Sequence, residues 1–167
     1  MTTLKEKIQQ NLNEAIKKKE KLNSLVLRSL LAAIINKEKE KRYKLSKEKP
    51  ELTEKELAKE SQLVDEEVLE LISSEVKKRK EALLLFEKGK REDLVEKERK
   101  EIEILQKYLP EQLSEEEIKK LVKEAIEKVG AREPKEIGKV MAELMPKVKG
   151  RVDGSLVGKI VKELLSP

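Results

Sequence analysis

The 167 residues contain no histidine, cysteine or tryptophan and only Phe86, Tyr43 and Tyr108 as aromatics. That composition excludes Cys–His and Ser–His nucleophiles, zinc sites of thiolate and imidazole, and a disulfide scaffold. Charged residues are 44% of the chain, and the net charge of +5 hides a basic first segment (residues 1–49, +8), an acidic middle (50–129, −6) and a basic end (130–167, +3), so both ends attract polyanions.

Leu4, Ile8, Leu12, Ala15 and Ile16 recur at spacings of three and four and predict a first helix. Asn23-Ser24 offers a cap and a break, after which Leu25, Leu27, Leu30, Leu31, Ile34 and Ile35 predict a central helix that fades into the charged run Asn36 to Lys49, closed at Pro50. Thr53 and Glu56 have capping-box spacing. From there Leu57, Val64, Val68, Leu71, Ile72 and Val76 predict one long helix towards Phe86, with Gly89 as its stop. Leu94, Val95, Ile102 and Leu105 mark a further helix running into Tyr108-Leu109-Pro110.

Proline disfavours helix in the residue before it, which sets the expected boundary between an N-terminal helical domain, 1–109, and a C-terminal three-helix domain, 110–167. In the second, Ser114 to Glu117 forms a capping box before Ile118, Leu121, Val122, Ala125 and Ile126, and Gly130 ends that helix. Pro134 suits the first turn of the next helix (Ile137, Val140, Met141, Leu144), which Pro146 should stop. Asp153 caps a last helix with Leu156, Val157, Ile160, Val161 and Leu164 facing inward. No segment alternates with period two, so the expected fold is all-α, with long helices followed by a compact three-helix section.

One stretch looks built for binding. Between Gly138 and Lys159 lie four of the six glycines together with Lys139, Lys147, Lys149 and Arg151. Such cations pair with phosphates, and Gly150 and Gly154 would let a ligand approach the backbone near the positive end of the last helix. Lys77, Lys78, Arg79 and Lys80 form a secondary cationic run that wraps more than half a helical turn. The triplets Asp65-Glu66-Glu67 and Glu115-Glu116-Glu117 point in different directions on a helix and fit capping better than catalysis or a metal. No catalytic residue, metal or cofactor is expected. Three aromatics are too few for a stacking platform, so an RNA partner would be folded and read by its backbone.

Gly138-Lys139-Val140-Met141, Leu144-Met145-Pro146, Lys149-Gly150-Arg151-Val152-Asp153-Gly154 and Ile160 to Leu165 resemble the GatB/YqeY family. Upstream, Leu27 to Ile34, Asp65 to Leu69, Lys78 to Ala82 and Tyr108-Leu109-Pro110-Glu111-Gln112-Leu113-Ser114 resemble its stand-alone YqeY branch. The resemblance implies an all-α module related to the tail of the tRNA-dependent amidotransferase B subunit. That enzyme is a carbon–nitrogen ligase with glutamine as amido-N-donor. The resemblance further implies that Lys139, Lys149, Gly150, Arg151 and Asp153 share in tRNA binding. The ATP-using body and the amidase subunit of that enzyme have no counterpart here, so the expectation is an accessory module, not catalytic alone, with tRNA or an amidotransferase subunit as partner. The alternative is a helical protein–protein adaptor docking through the last helix or Leu83-Leu84-Leu85-Phe86. An intracellular, cytoplasmic setting without a membrane partner is expected, because cysteine is absent, the start of the chain has no apolar signal core, and no run of about 18 apolar residues occurs.

Overall fold

The computed structural model describes residues 1–166. Among them the chain is all-α: α1 (Leu4–Lys17), α2 (Lys21–Glu48), α3 (Glu54–Glu60), α4 (Asp65–Lys88), α5 (Glu92–Gln106), α6 (Glu115–Val129), α7 (Ile137–Val148) and α8 (Gly154–Leu165), with a 3-10 turn at Pro134–Glu136 leading into α7. It divides into two compact units, Met1–Tyr108 and Leu109–Pro167.

In the first unit α1 packs on α2 and α4 on α5, while α2 also meets α5 and carries α3. The core takes most of the predicted stripes: Ile8, Leu12 and Ala15 from α1, Leu27, Leu30, Leu31 and Ile34 from α2 with Val26, which was not predicted, Val68, Ile72 and Val76 from α4, and Val95, Ile102 and Leu105 from α5, whereas Ile16 and Ile35 are exposed. Each such Leu or Ile contributes about 1.5–3 kcal/mol by leaving water. The second half of α2 buries nothing, which is the structural meaning of its charged run.

Helix ends differ from the sequence expectation in three places, each for a local reason. The first break falls at Lys18–Glu20 instead of Asn23-Ser24. There the Glu20 N–H donates to Ala15 O (2.9 Å) and the Lys19 N–H to Ile16 O (3.1 Å), a Schellman closure with Lys19 at φ 57°. The long helix predicted from Thr53 is split into α3 and α4. Glu67 reaches back to the Val64 N–H (2.9 Å) and starts a new helix, and the Leu63 N–H donates to Glu38 Oε1 (3.2 Å). Val64, predicted inward, is exposed.

α4 ends with Gly89 as its C-cap, as expected, with φ −80°, and the left-handed residue is the next one, Lys90 (φ 54°). Pro146 lies inside α7 instead of ending it. Val148, two residues on, is fully buried, so core packing outweighs the one backbone hydrogen bond that proline removes near a helix end. In α8 the inward residues are Val157, Ile160, Val161 and Leu165, whereas Leu156 and Leu164 are partly exposed.

The second unit closes α6, α7 and α8 around Ile118, Val122, Ala125, Val140, Leu144, Val148, Val157, Ile160, Val161 and Leu165. Ser114 caps α6 with the predicted box, its N–H donating to Glu117 Oε2 (2.8 Å) and its Oγ accepting from the Glu117 N–H (3.3 Å). Gly130 ends α6 at φ 67°. No helix among the described residues is long and apolar enough to cross a membrane.

Candidate nucleic-acid interface

The predicted cationic stretch folds as α7, a tight turn and α8. Lys149 has φ −54° and ψ 128°, Gly150 has φ 75°, and the Arg151 N–H donates to Val148 O (2.9 Å). These values define a type II turn over Val148–Arg151, whose third residue must take positive φ. Gly150 is therefore required by the turn itself, before any ligand approaches.

The turn is clamped by a segment about forty residues upstream. Leu113 N–H donates to Arg151 O (2.9 Å), Gln112 Nε2 to Gly150 O (3.0 Å), and Arg151 Nε to Glu111 O (3.1 Å). Glu111-Gln112-Leu113 and Gly150-Arg151, two motifs separated in sequence, thus form one hydrogen-bonded structure. Sequence reasoning missed this clamp, because nothing in the spacing of two loops announces that they meet.

The other predicted residues are more engaged than their spacing suggests. Lys139 lies near the start of α7, about 13 Å along the helix axis from Val148, and its Nζ pairs with Glu136 Oε1 (3.1 Å). Donation from the Arg132 N–H, then from the Lys139 ammonium and the Glu133 N–H, draws the Glu136 carboxyl down to about 2. Lys147 pairs with Glu143 (2.9 Å), which also takes Lys128 (2.6 Å). Held by Lys128 first and Lys147 second, Glu143 is likewise drawn down to about 2.

The positive end of α8, expected to help hold a phosphate, is occupied by its own cap. Asp153 Oδ1 accepts from the Ser155 N–H (2.8 Å), placing a carboxylate where the anion was expected. A Cβ at Gly154 would meet only Met145 Cε, at 4.0 Å, and at Gly138 nothing within 4 Å. On the surface of this region Lys147 and Lys149 are exposed and Arg151 is half-buried.

The secondary run on α4 divides. Lys77, Lys78 and Lys80 are exposed, and Lys78 pairs with Glu75 (2.9 Å). Arg79 is not a surface contact: it turns onto α5 and pairs with Glu98 (3.5 Å) and, more closely, with Glu101, which is 5% exposed. The signal was present in the chain, since Arg79 continues the stripe Val68, Ile72, Val76 at helical spacing, and Glu98 and Glu101 fall on the stripe of α5. Among the described residues no group of three or more acidic side chains is placed to hold a metal.

Against known proteins, residues 49–165 match the family described as Yqey-like protein. Altered inheritance of mitochondria protein 41, mitochondrial, from Pyrenophora tritici-repentis is 34% identical over 163 residues, 95% of this chain and 79% of that one. Uncharacterized protein C22F3.15 from Schizosaccharomyces pombe is 44% identical over 50 residues, 30% of this chain and 41% of that protein. The family match covers α3 to α8 and therefore both the clamp and the turn, and the fungal relative extends the likeness through α1 and α2. The chain belongs to the Yqey-like protein family.

Proposed function

We propose that this protein is an accessory module that holds tRNA through the turn between α7 and α8, without catalysing a reaction alone. The observation that carries the reading is the clamped type II turn. It presents Lys149 as the second residue and Arg151 as the fourth of a backbone turn fixed by bonds to Glu111, Gln112 and Leu113, so the phosphate-binding groups are carried on a preorganised backbone. Lys147 adds charge from the last turn of α7, and Lys139 is a peripheral contributor held to Glu136. The resemblance to the amidotransferase B-subunit tail supports tRNA as the RNA and glutamine-dependent carbon–nitrogen ligation as the setting, reached through a complex.

The fungal relative's name assigns that protein to mitochondria. For this chain we propose the cytoplasm, and cell fractionation distinguishes the two compartments.

The test is tRNA binding across a salt series with Lys149→Glu, its helicity and melting compared with the parent. Loss of one phosphate contact lowers the log–log salt slope by about 0.7–0.9, and the reversed charge weakens binding further. A folded Lys149→Glu variant with parental affinity removes the turn from RNA binding. A second reading, a protein adaptor, is favoured by Leu84 and Leu85, which are 57% and 67% exposed near the end of α4. Capture of an amidotransferase subunit that survives nuclease and high salt, and is lost in Leu84→Ser/Leu85→Ser, supports that reading.

A further inference from the structure

The opposite chemistry to the tethered turn lies at one end of the first unit. Lys7, Asn11 and Glu14 on α1 and Lys18 just past its end follow one another at helical spacing beside the buried stripe. With Glu20 and Asn23 from the start of α2, and Lys107 and Tyr108 after α5, they line a cleft of about 200 Å³. Lys7, Lys18 and Lys107 have no carboxylate within ion-pair distance among the described residues, and neither do Lys17, Lys19 and Lys21 on the adjoining turn. The cleft itself is lined by three lysines and two carboxylates, one of which, Glu20, accepts from Asn23 Nδ2 (2.8 Å), and the exposed Lys17, Lys19 and Lys21 adjoin it in the chain.

The floor of the cleft holds a directional donor. Asn11 Nδ2 donates to the Tyr108 hydroxyl (2.7 Å), and no acceptor among the described residues takes that hydroxyl's own hydrogen. Tyr108 is partly buried, which pushes its hydroxyl up from its ordinary value against the opposing Asn11 bond, so the proton stays in place at neutral pH. The start of α2 adds N–H groups with no side-chain cap.

We propose that this end of the first unit binds the sugar–phosphate backbone of a nucleic acid, one phosphate seated in the cleft against Tyr108 and its neighbours tracked by Lys17, Lys19 and Lys21. The recess and its fixed hydroxyl select a discrete, protruding phosphate, and the lysines outside the recess require a ligand with several. The site does not depend on the α7–α8 turn contacting RNA.

The experiment uses the full chain and a fluorescent dodecauridylate, read by anisotropy over a salt series, with phosphatidylserine vesicles measured in parallel. Lys18→Gln/Lys107→Gln should lower the log–log slope by about 1.4 at the single-strand coefficient. Tyr108→Phe, which keeps the ring and loses only the hydroxyl, should weaken binding about five- to tenfold. Lys19→Gly relieves the backbone and should melt no lower than the parent while still losing affinity. Parental affinity and slope in the folded double variant overturn the proposal, as does a parent that binds vesicles but not RNA. Lys149→Glu run beside them separates the sites: loss there alone leaves the turn and removes the cleft, and loss in the cleft variants alone does the reverse.

Discussion

At the turn between α7 and α8 the left-handed residue is Gly150, whereas between α1 and α2 it is Lys19. Around the first turn the cations are tied: Lys139 to Glu136, Lys147 to Glu143, and Arg151 to the Glu111 carbonyl. Around the second no lysine has an acidic partner among the described residues. A cation tied to a carboxylate is held in position but partly neutralised, one tied to a carbonyl is held with its charge intact, and an untied one retains its charge while losing more side-chain entropy when a ligand orders it. Cationic residues in a sequence are thus not equivalent, and what separates them is the acceptor that the fold places beside each.

The largest expected effect comes from cutting the most buried tether. Glu101→Ala should destabilise the first unit by about 2 kcal/mol in chemical denaturation. That is less than a fully buried pair would lose, because Glu98 remains and the Arg79 side chain keeps a fifth of its exposure. A variant as stable as the parent would show that this pair holds nothing. Next, Gly150→Ala forces a Cβ into positive φ and should cost about 1.5 kcal/mol, visible as a lower melting temperature. If the loss is absent, the turn is not the rigid platform described for tRNA.

Lys19→Gly should stabilise by about 0.5 kcal/mol, the relief at positive φ being partly offset by glycine's greater freedom when unfolded. A destabilised glycine variant would mean that the Lys19 side chain makes a structural contact. The mildest test is Glu143→Gln, which releases Lys128 and Lys147 together and should raise the affinity and salt slope for tRNA if tethering is what restrains this region. In the parent, Glu143 and Glu136 have folded values drawn down to about 2 from an ordinary 4.5. Their stabilising effect is complete above about pH 4.5 and disappears as pH falls towards 2. Acid unfolding followed by helicity should be flatter over that window in Glu143→Gln.

Helices were legible because apolar residues at spacings of three and four can only be buried together on one face, and Ser114 with Glu117 and Thr53 with Glu56 announced their own caps. The α1–α2 turn was illegible because Lys18, Lys19 and Glu20 carry none of the residues that favour turns, and the chain reverses there only because Ala15 and Val26 must both reach the core. Pro146 misled for the converse reason, a local breaker overruled by the burial of Val148. The cationic stretch was visible, but the partners of its lysines were not, since Lys128 meets Glu143 from a different helix. The cleft at Tyr108 was hidden further, being assembled from α1, α2 and the end of α5.

The clamp also decides where this protein can be cut. A fragment starting at Ser114 would retain α6, α7, α8 and the capping serine, and would pass as a whole three-helix module. Yet it would strip Gly150 and Arg151 of the donors that Gln112 and Leu113 supply, and the Arg151 guanidinium of the Glu111 carbonyl. The five residues after Tyr108, linker by composition, are in this sense part of the second unit's working surface. Anyone transplanting the turn onto another scaffold must carry them along.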